Sequence, residues 1–291
     1  MSINRLKLGS DYLASYSNGY LPSMYLGLTP IVSADFTIYS EATDFISTAS
    51  ITDSTEIAAV QYLVSGLKQY GLWDKLSNVY PFVGGTSSSM AYNLKDTSDV
   101  YTTIVWGSGM SFGTDGITGD GTSNSYGDTK RYFTSANNDL SLGVYILNNS
   151  DENATDMGVE TQLGAGNSTY LQSRNSDQII ANISGSSSNQ ITASNTNSRG
   201  FFILRSFNDG TDKIGVYKDG AVQVTGSQSV PSGIPSADDK VAIGAFKDGV
   251  NWTQNTSRSY GFSFIGTSEL SEDDVANLNL TTQRFIQILG R

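Results

Sequence analysis

The 291-residue chain contains no histidine and no cysteine. That removes the commonest general base, the commonest zinc ligand, any Ser–His–Asp triad, any thiolate nucleophile and any disulfide framework. What remains is the chemistry of carboxylates, amides, hydroxyls and aromatic rings. A glycoside hydrolase needs two carboxylates facing one sugar. No Glu-x-Asp-x-Glu run occurs. Asp156 and Glu160 come nearest, and their spacing at a loop edge reads as two solvated surface acids. Asp115, Asp120 and Asp128 lie in a glycine-rich stretch whose carbonyls could join them around calcium, with Asp115 and Asp120 as the candidate ligands. No EF-hand spacing accompanies them, and solvated turn aspartates are the favoured reading. Sugar binding without cleavage needs a ring to stack on and amides beside it. Trp252, flanked by Asn251 and Asn255, and Tyr126 in the glycine-rich stretch are the candidates. Packing under a loop competes for each ring and is favoured. Trp73 and Trp106 stand in apolar helix and strand settings and read as core.

The elements that would position these residues are mostly β. Thirty glycines, 16 tyrosines, only 15% charged residues and abundant Ser, Thr and Asn describe a sandwich or barrel with many turns. A hydrophobic fraction of 38% suffices for a core at this length. The net charge of −11 argues against a phosphate-neutralising surface, so nucleic acid is not an expected partner. No long uncharged apolar run resembles a signal peptide or a membrane span, so neither secretion nor membrane insertion is expected.

Residues 1–38 show no convincing period and carry Tyr12, Tyr16, Tyr20 and Tyr25 between glycines and prolines. They read as an extended arm that docks onto a partner or a neighbouring subunit, the alternative being an arm lying along its own domain. Residues 39–291 read as one domain, with helices over 41–78 and 272–289. Ser40 is the expected cap of a helix over 41–47, and Asp53 of the next one. Glu56 is placed to complete a capping box, and Ile57, Val60, Leu63, Val64 and Leu67 form its apolar stripe. Gly71 suits the left-handed position after that helix, and residues 72–77 read as a second short helix. Strands are expected over 101–106, 141–147, 169–173, 178–183, 201–207, 240–246 and 260–265, among others. Asp219-Gly220 signals a type I′ hairpin with Ile214, Val216, Val222 and Val224 on one face. Tyr260, Phe262 and Phe264 are expected to share a face. Ser271 and Asp274 box the start of the last helix, Leu270 staples to Val275, and Asn279, Thr281 and Thr282 invite a kink. Strands in the middle and helices at both ends suggest a jelly-roll sandwich of two antiparallel sheets.

Several runs carry a family resemblance. Ile51-Thr52-Asp53, the LKQYGLWDKL segment from Leu67, Tyr80-Pro81-Phe82-Val83-Gly84-Gly85-Thr86 and Asn93-Leu94-Lys95-Asp96 come first. Gly121, Thr122, Tyr126, Asp128 and Thr129 follow, then Leu270-Ser271, Val275-Ala276-Asn277-Leu278 and Leu289-Gly290-Arg291. Together they resemble a group of tailed-bacteriophage structural proteins with a concanavalin A-like lectin/glucanase, or laminin-G-like, jelly roll. The likeness spans about residues 40–291 and is weak through the middle. It implies a non-enzymatic virion protein, in a tail fibre, tail tip or head appendage. The arm would bind other virion proteins, and the domain would adhere to host-surface glycans. A homo-oligomer is implied, and fibres are commonly trimers. The alternative is a decoration or connector protein without a ligand. A glycan-cleaving enzyme would require the facing carboxylates that the sequence does not offer.

Overall fold

The computed structural model describes residues 7–8, 11–12, 37–132, 139–160, 168–185, 190–206, 213–227, 240–248 and 251–291. The described residues contain three α-helices: α1 (Ser40–Thr48), α2 (Ser54–Gln69) and α3 (Glu272–Ile288). The strands begin with the short pair β1 (Lys7–Leu8) and β2 (Asp11–Tyr12). Next come β3 (Leu76–Tyr80), β4 (Val105–Trp106), β5 (Met110–Gly113), β6 (Gly116–Gly119) and β7 (Gly127–Tyr132). They continue as β8 (Ser141–Ile146), β9 (Met157–Glu160), β10 (Ser168–Asn175), β11 (Gln178–Gly185), β12 (Ile191–Ser194) and β13 (Gly200–Ser206). The last are β14 (Ile214–Lys218), β15 (Ala221–Gly226), β16 (Lys240–Ile243), β17 (Phe246–Asp248), β18 (Asn251–Thr253) and β19 (Ser259–Gly266).

Two antiparallel sheets make a lectin-like jelly-roll sandwich. One runs β12-β11-β10-β9-β16-β7-β4, and the other β15-β14-β13-β8-β19-β6-β5 with β3 paired to β19. Alternation along each strand sorts the side chains into two cores. Leu171, Ile179, Ala181 and Ile243 of the seven-stranded sheet meet Leu142, Val144, Phe202 and Val216 of the other between the sheets. The opposite face of the eight-stranded sheet carries Tyr145, Phe201, Phe262 and Phe264, which pack against Leu63, Val64, Leu67, Val275 and Phe285 of the helices. Phe201, Phe262, Phe264 and Phe285 are wholly buried there, each worth about 1.5–3 kcal/mol. The layers are therefore helices, eight-stranded sheet and seven-stranded sheet. Among the described residues no helix covers the outer face of the seven-stranded sheet, which is the open face of the sandwich in this sense.

The helix signals are realised closely. Asp53 accepts from the backbone N–H of Thr55 and Glu56 at 2.9 and 3.0 Å. Gly71 is left-handed (φ 68°). The Ser271–Asp274 box forms, and Leu270 and Val275 share one core. Helix α3 runs without a break through Asn279, Thr281 and Thr282, where Thr281 and Thr282 are buried and the Thr281 hydroxyl donates to the Asn277 carbonyl inside the helix. Helix α3 also lies close on α2, where a Cβ on Gly66 would meet Thr281 Cγ2 at 2.7 Å.

Several expectations need correction. Glu56 does not reach back to the helix start; its Oε1 accepts from Gly84 N–H at 3.0 Å, fixing the turn after β3. Helix α1 starts one residue early, with Tyr39 in the cap position and no side-chain cap. Residues 72–77 are not a helix. A short 3-10 turn at Trp73–Lys75 leads into β3, because β19 offers an open edge and both cores accept its side chains. Only Val105–Trp106 of residues 101–106 is strand, since Asp99 draws the preceding chain into turns through the Tyr101 N–H at 2.8 Å. Val222 leaves the Val216 face for solvent because the ladder slips between Val216 and Tyr217. A second slip, between Tyr260 and Phe262, turns Tyr260 into the inter-sheet core while Phe262 and Phe264 face the helices.

Candidate functional site

The two rings chosen from sequence as sugar platforms lie on each other. Tyr126 and Trp252 stack with centroids 4.3 Å and planes 15° apart. Asn251 is exposed and pairs with Asp248 across the β17–β18 hairpin. Trp73 is buried, as expected. Trp106 is only half-buried, because β4 is an edge strand. Its indole N–H donates to the Ser87 carbonyl at 2.9 Å, and with Tyr92, Met110 and Phe112 it lines a groove of about 490 Å³. Exposed Tyr101 and Val105 stand nearby in sequence.

The two calcium candidates are separate in character. Asp115 is exposed. The Asp120 carboxylate accepts from the Ser125 hydroxyl and from the Thr122 hydroxyl and N–H, and these bonds hold its pKa below the usual aspartate range. Among the described residues no group of three or more acids is gathered around one point. Of the arm tyrosines, Tyr12 ends β2, while Tyr16, Tyr20 and Tyr25 lie outside the described residues.

The surface acid expected at Asp156 is instead fully buried. Arg258, 0% exposed, donates through one terminal nitrogen to both Asp156 oxygens at 2.9 and 3.0 Å. Its other terminal nitrogen donates to the carbonyls of Ser150, Glu152 and Arg174. Asp156 also accepts from Ser173 N–H at 2.6 Å and from the Tyr260 hydroxyl at 2.9 Å. Burial works to lower the Arg258 pKa, and the surrounding Asp156, Tyr260 and Glu152 together outweigh it, leaving a net rise. The cluster ties the 148–156 loop, β10 and β19 to one point.

That anchored loop borders a groove that sequence reasoning missed. It lies on the open face of the seven-stranded sheet and measures about 360 Å³, within the ~300–1,000 Å³ range of small-ligand sites. Tyr170 and Ser168 of β10 and Ile180 of β11 line it from the sheet. One wall is the β17–β18 hairpin, which leaves the sheet at left-handed Gly244 (φ 73°) and brings in Phe246 and Gln254. Phe246 meets the Tyr170 ring edge-to-face at 5.9 Å. Gly158 makes this approach possible, since a Cβ there would stand 2.9 Å from Thr155 Cγ2 and 3.1 Å from both Phe246 Cδ2 and Tyr170 Cβ.

The polar part of the groove is a row of carboxamides. Asn175 Nδ2 donates to Asn153 Oδ1 and to Gln172 Oε1, both at 3.0 Å. Gln172 Nε2 donates to Gln254 Oε1 at 2.7 Å, and the Thr155 hydroxyl donates to the same oxygen at 2.6 Å. The Tyr170 hydroxyl donates to Gln190 Oε1 at 3.0 Å. Every acceptor named is thus already fixed in place. The NH₂ groups of Asn153, Gln190 and Gln254 have no hydrogen-bond partner among the described residues, and all three side chains are exposed. The arrangement can stack a flat apolar face on the half-buried Tyr170 ring, which Phe246 braces edge-on, and exchange hydrogen bonds with hydroxyls around its rim. The signal for it in sequence was slight: Asn and Gln scattered over 100 positions, in strands where such residues also serve as ordinary solvated surface.

The chain matches no protein-family model and no curated protein sequence. It is similar in fold to the Trypanosoma rangeli sialidase in complex with 2,3-difluoro-KDN, with a TM-score of 0.55 and 10% identity over 79% of this chain and 40% of that one. A domain of a GH43 extracellular arabinanase from Geobacillus stearothermophilus, in complex with arabinotriose, matches with a TM-score of 0.49 and 16% identity, over 70% of this chain and 98% of that domain. The CBM40 of a Ruminococcus gnavus sialidase matches with a TM-score of 0.42 and 13% identity, over 50% of this chain and 84% of that one. At these identities the likeness is one of fold.

Proposed function

We propose that the chain is a non-catalytic glycan-binding domain whose site is the groove on the open face of the seven-stranded sheet. The observation that carries this is the juxtaposition of Tyr170 and Phe246 with a pre-ordered carboxamide row whose outer NH₂ groups face solvent. A pyranose or furanose offers a C–H face and a ring of hydroxyls, the complement of such a lining. The shared lectin-like sandwich supports the reading at the level of fold. Catalysis is not part of it: the described lining holds no carboxylate, and the buried acid beneath it is committed to Arg258. The sequence resemblance to tailed-phage structural proteins supports a place on a virion, with the arm as attachment and the groove as an adhesion site for host-surface glycans.

A structural role without a ligand is the second reading. It is favoured by Tyr101, 78% exposed, and Val105, 46% exposed, beside the groove at Trp106, which suit packing between subunits.

The experiment is a glycan panel with the full chain, repeated with Tyr170→Ala, Gln254→Ala and Tyr101→Ala. Glycan binding reduced by the first two and unchanged by the third supports the adhesion reading. Absence of binding throughout, with subunit association lost in Tyr101→Ala, would replace it with the structural one.

A further inference from the structure

Resting on the glycan reading, we infer that the groove selects uncharged saccharides and discriminates against sugars that carry a carboxylate. The inference comes from what surrounds the groove, not from the carboxamides alone. Its lining is amide, hydroxyl, aromatic and aliphatic, with no Lys or Arg among the described residues.

The cations near the groove are spent elsewhere. Arg258 is fully buried on Asp156. Arg174 is turned onto Asp177, with its Nε at 2.9 Å and a terminal nitrogen at 2.6 Å, and its remaining nitrogen donates to Asn149 at 2.9 Å. Lys247 is the register partner of Trp252, and Lys240 that of Tyr132, so neither pairs with a groove residue in the ladders. The register partner of Ser168 is itself an acid, Glu160. Tyr170 is a neutral phenol at neutral pH, and burial pushes its pKa further up.

A sugar carboxylate entering this groove would lose water without gaining an ion pair, and amide donors recover only part of that cost. A hydroxyl loses nothing comparable, because it can accept from the outer NH₂ groups of Asn153, Gln190 and Gln254 and donate to the second lone pair of Asn153 Oδ1 or Gln190 Oε1. The net charge of −11 adds a long-range repulsion of anions, which salt screens, whereas the desolvation cost inside the groove is much less sensitive to salt.

The test is isothermal titration of the full chain with a neutral oligosaccharide from the panel and with the same oligosaccharide ending in glucuronic acid, at low and high salt. The neutral form is expected to bind at least about tenfold more tightly at both salt concentrations, a difference of about 1.4 kcal/mol. Gln190→Lys, which places a cation at the exposed rim and replaces the acceptor of the Tyr170 hydroxyl by a donor to its oxygen, is expected to narrow the gap. Equal or tighter binding of the acidic form by the unmodified chain would overturn the selectivity while leaving the glycan reading standing. A preference that vanishes at high salt would also overturn it, since the groove would then contribute nothing. Binding of neither form would overturn both.

Discussion

Trp252 and Tyr126, 126 positions apart in sequence, hold their rings 4.3 Å apart and nearly parallel. Their contact fastens the β17–β18 hairpin to the glycine-rich loop, helped by the Asn255 side chain donating to the Ser125 carbonyl at 3.1 Å. The same hairpin supplies Phe246 and the adjoining Gln254 to the groove. The pair that looked like a sugar platform is therefore placed to position one. Trp252→Ala and Tyr126→Ala should each weaken glycan binding, and a double-mutant cycle on stability should give a coupling of about 0.5–1.5 kcal/mol. Additive effects in urea unfolding would show that the stack carries no energy of its own.

Asp156 and Arg258 form a wholly buried ion pair. Breaking it removes the closest partner of a buried charge, leaving Arg258 only Glu152, 3.3 Å from its Nε, in Asp156→Asn, so Asp156→Asn or Arg258→Met should each cost about 3–5 kcal/mol. The Tyr260 hydroxyl and Ser173 N–H also lose the carboxylate they donate to in Asp156→Asn. The check is the urea midpoint at neutral pH. A loss below about 1 kcal/mol for either variant would mean that the loop is held by its other contacts.

Gly158 leaves the space in which Phe246, Tyr170 and Thr155 converge. Gly158→Val should push the hairpin outward and abolish glycan binding more completely than it destabilises the chain, because the hairpin stands outside both cores. Binding titrations alongside thermal unfolding separate the two effects. Retained affinity with an unchanged hairpin would remove Gly158 from the groove's design.

Asp274 closes the capping box of α3 and pairs with Lys75. Burial raises its pKa, and the bonds from Lys75 and Ser271 more than reverse this, leaving it below the usual aspartate value of 3.8. A carboxyl depressed in the folded state adds stability above its unfolded pKa and loses it as pH falls through the folded value. Asp274→Asn should thus cost about 1 kcal/mol at neutral pH and lose less stability than the parent between about pH 5 and pH 2. Parallel stability–pH curves for the two proteins would refute this.

The parts of the fold readable from sequence were those set by neighbours in the chain. Asp53, the Ser271–Asp274 box and Gly71 act within one helical turn, and Asp219-Gly220 (φ 51° and 80°) shapes its hairpin alone. What failed depended on distant partners. Asp156 looked solvated because Arg258 lies 102 positions away. Residues 72–77 looked helical because the strand that captures Leu76–Tyr80 is β19. Tyr260 looked like a companion of Phe262 because a ladder slip leaves no mark in the alternation itself. The groove escaped for the same reason. Its rings and amides come from the 148–156 loop, β10, Gln190 just before β12 and a folded-over hairpin, and none of those segments alone has a sugar-binding pattern.

Side-chain NH₂ resonances of Asn153, Asn175, Gln190 and Gln254 can be followed by nitrogen–proton NMR while a neutral oligosaccharide from the panel is added. A ligand seated in the groove should shift these four amides together and saturably, along with the backbone of Tyr170 and Phe246. Saturable shifts confined to the surroundings of Trp106, with all four amides unmoved, would contradict the groove as the binding site.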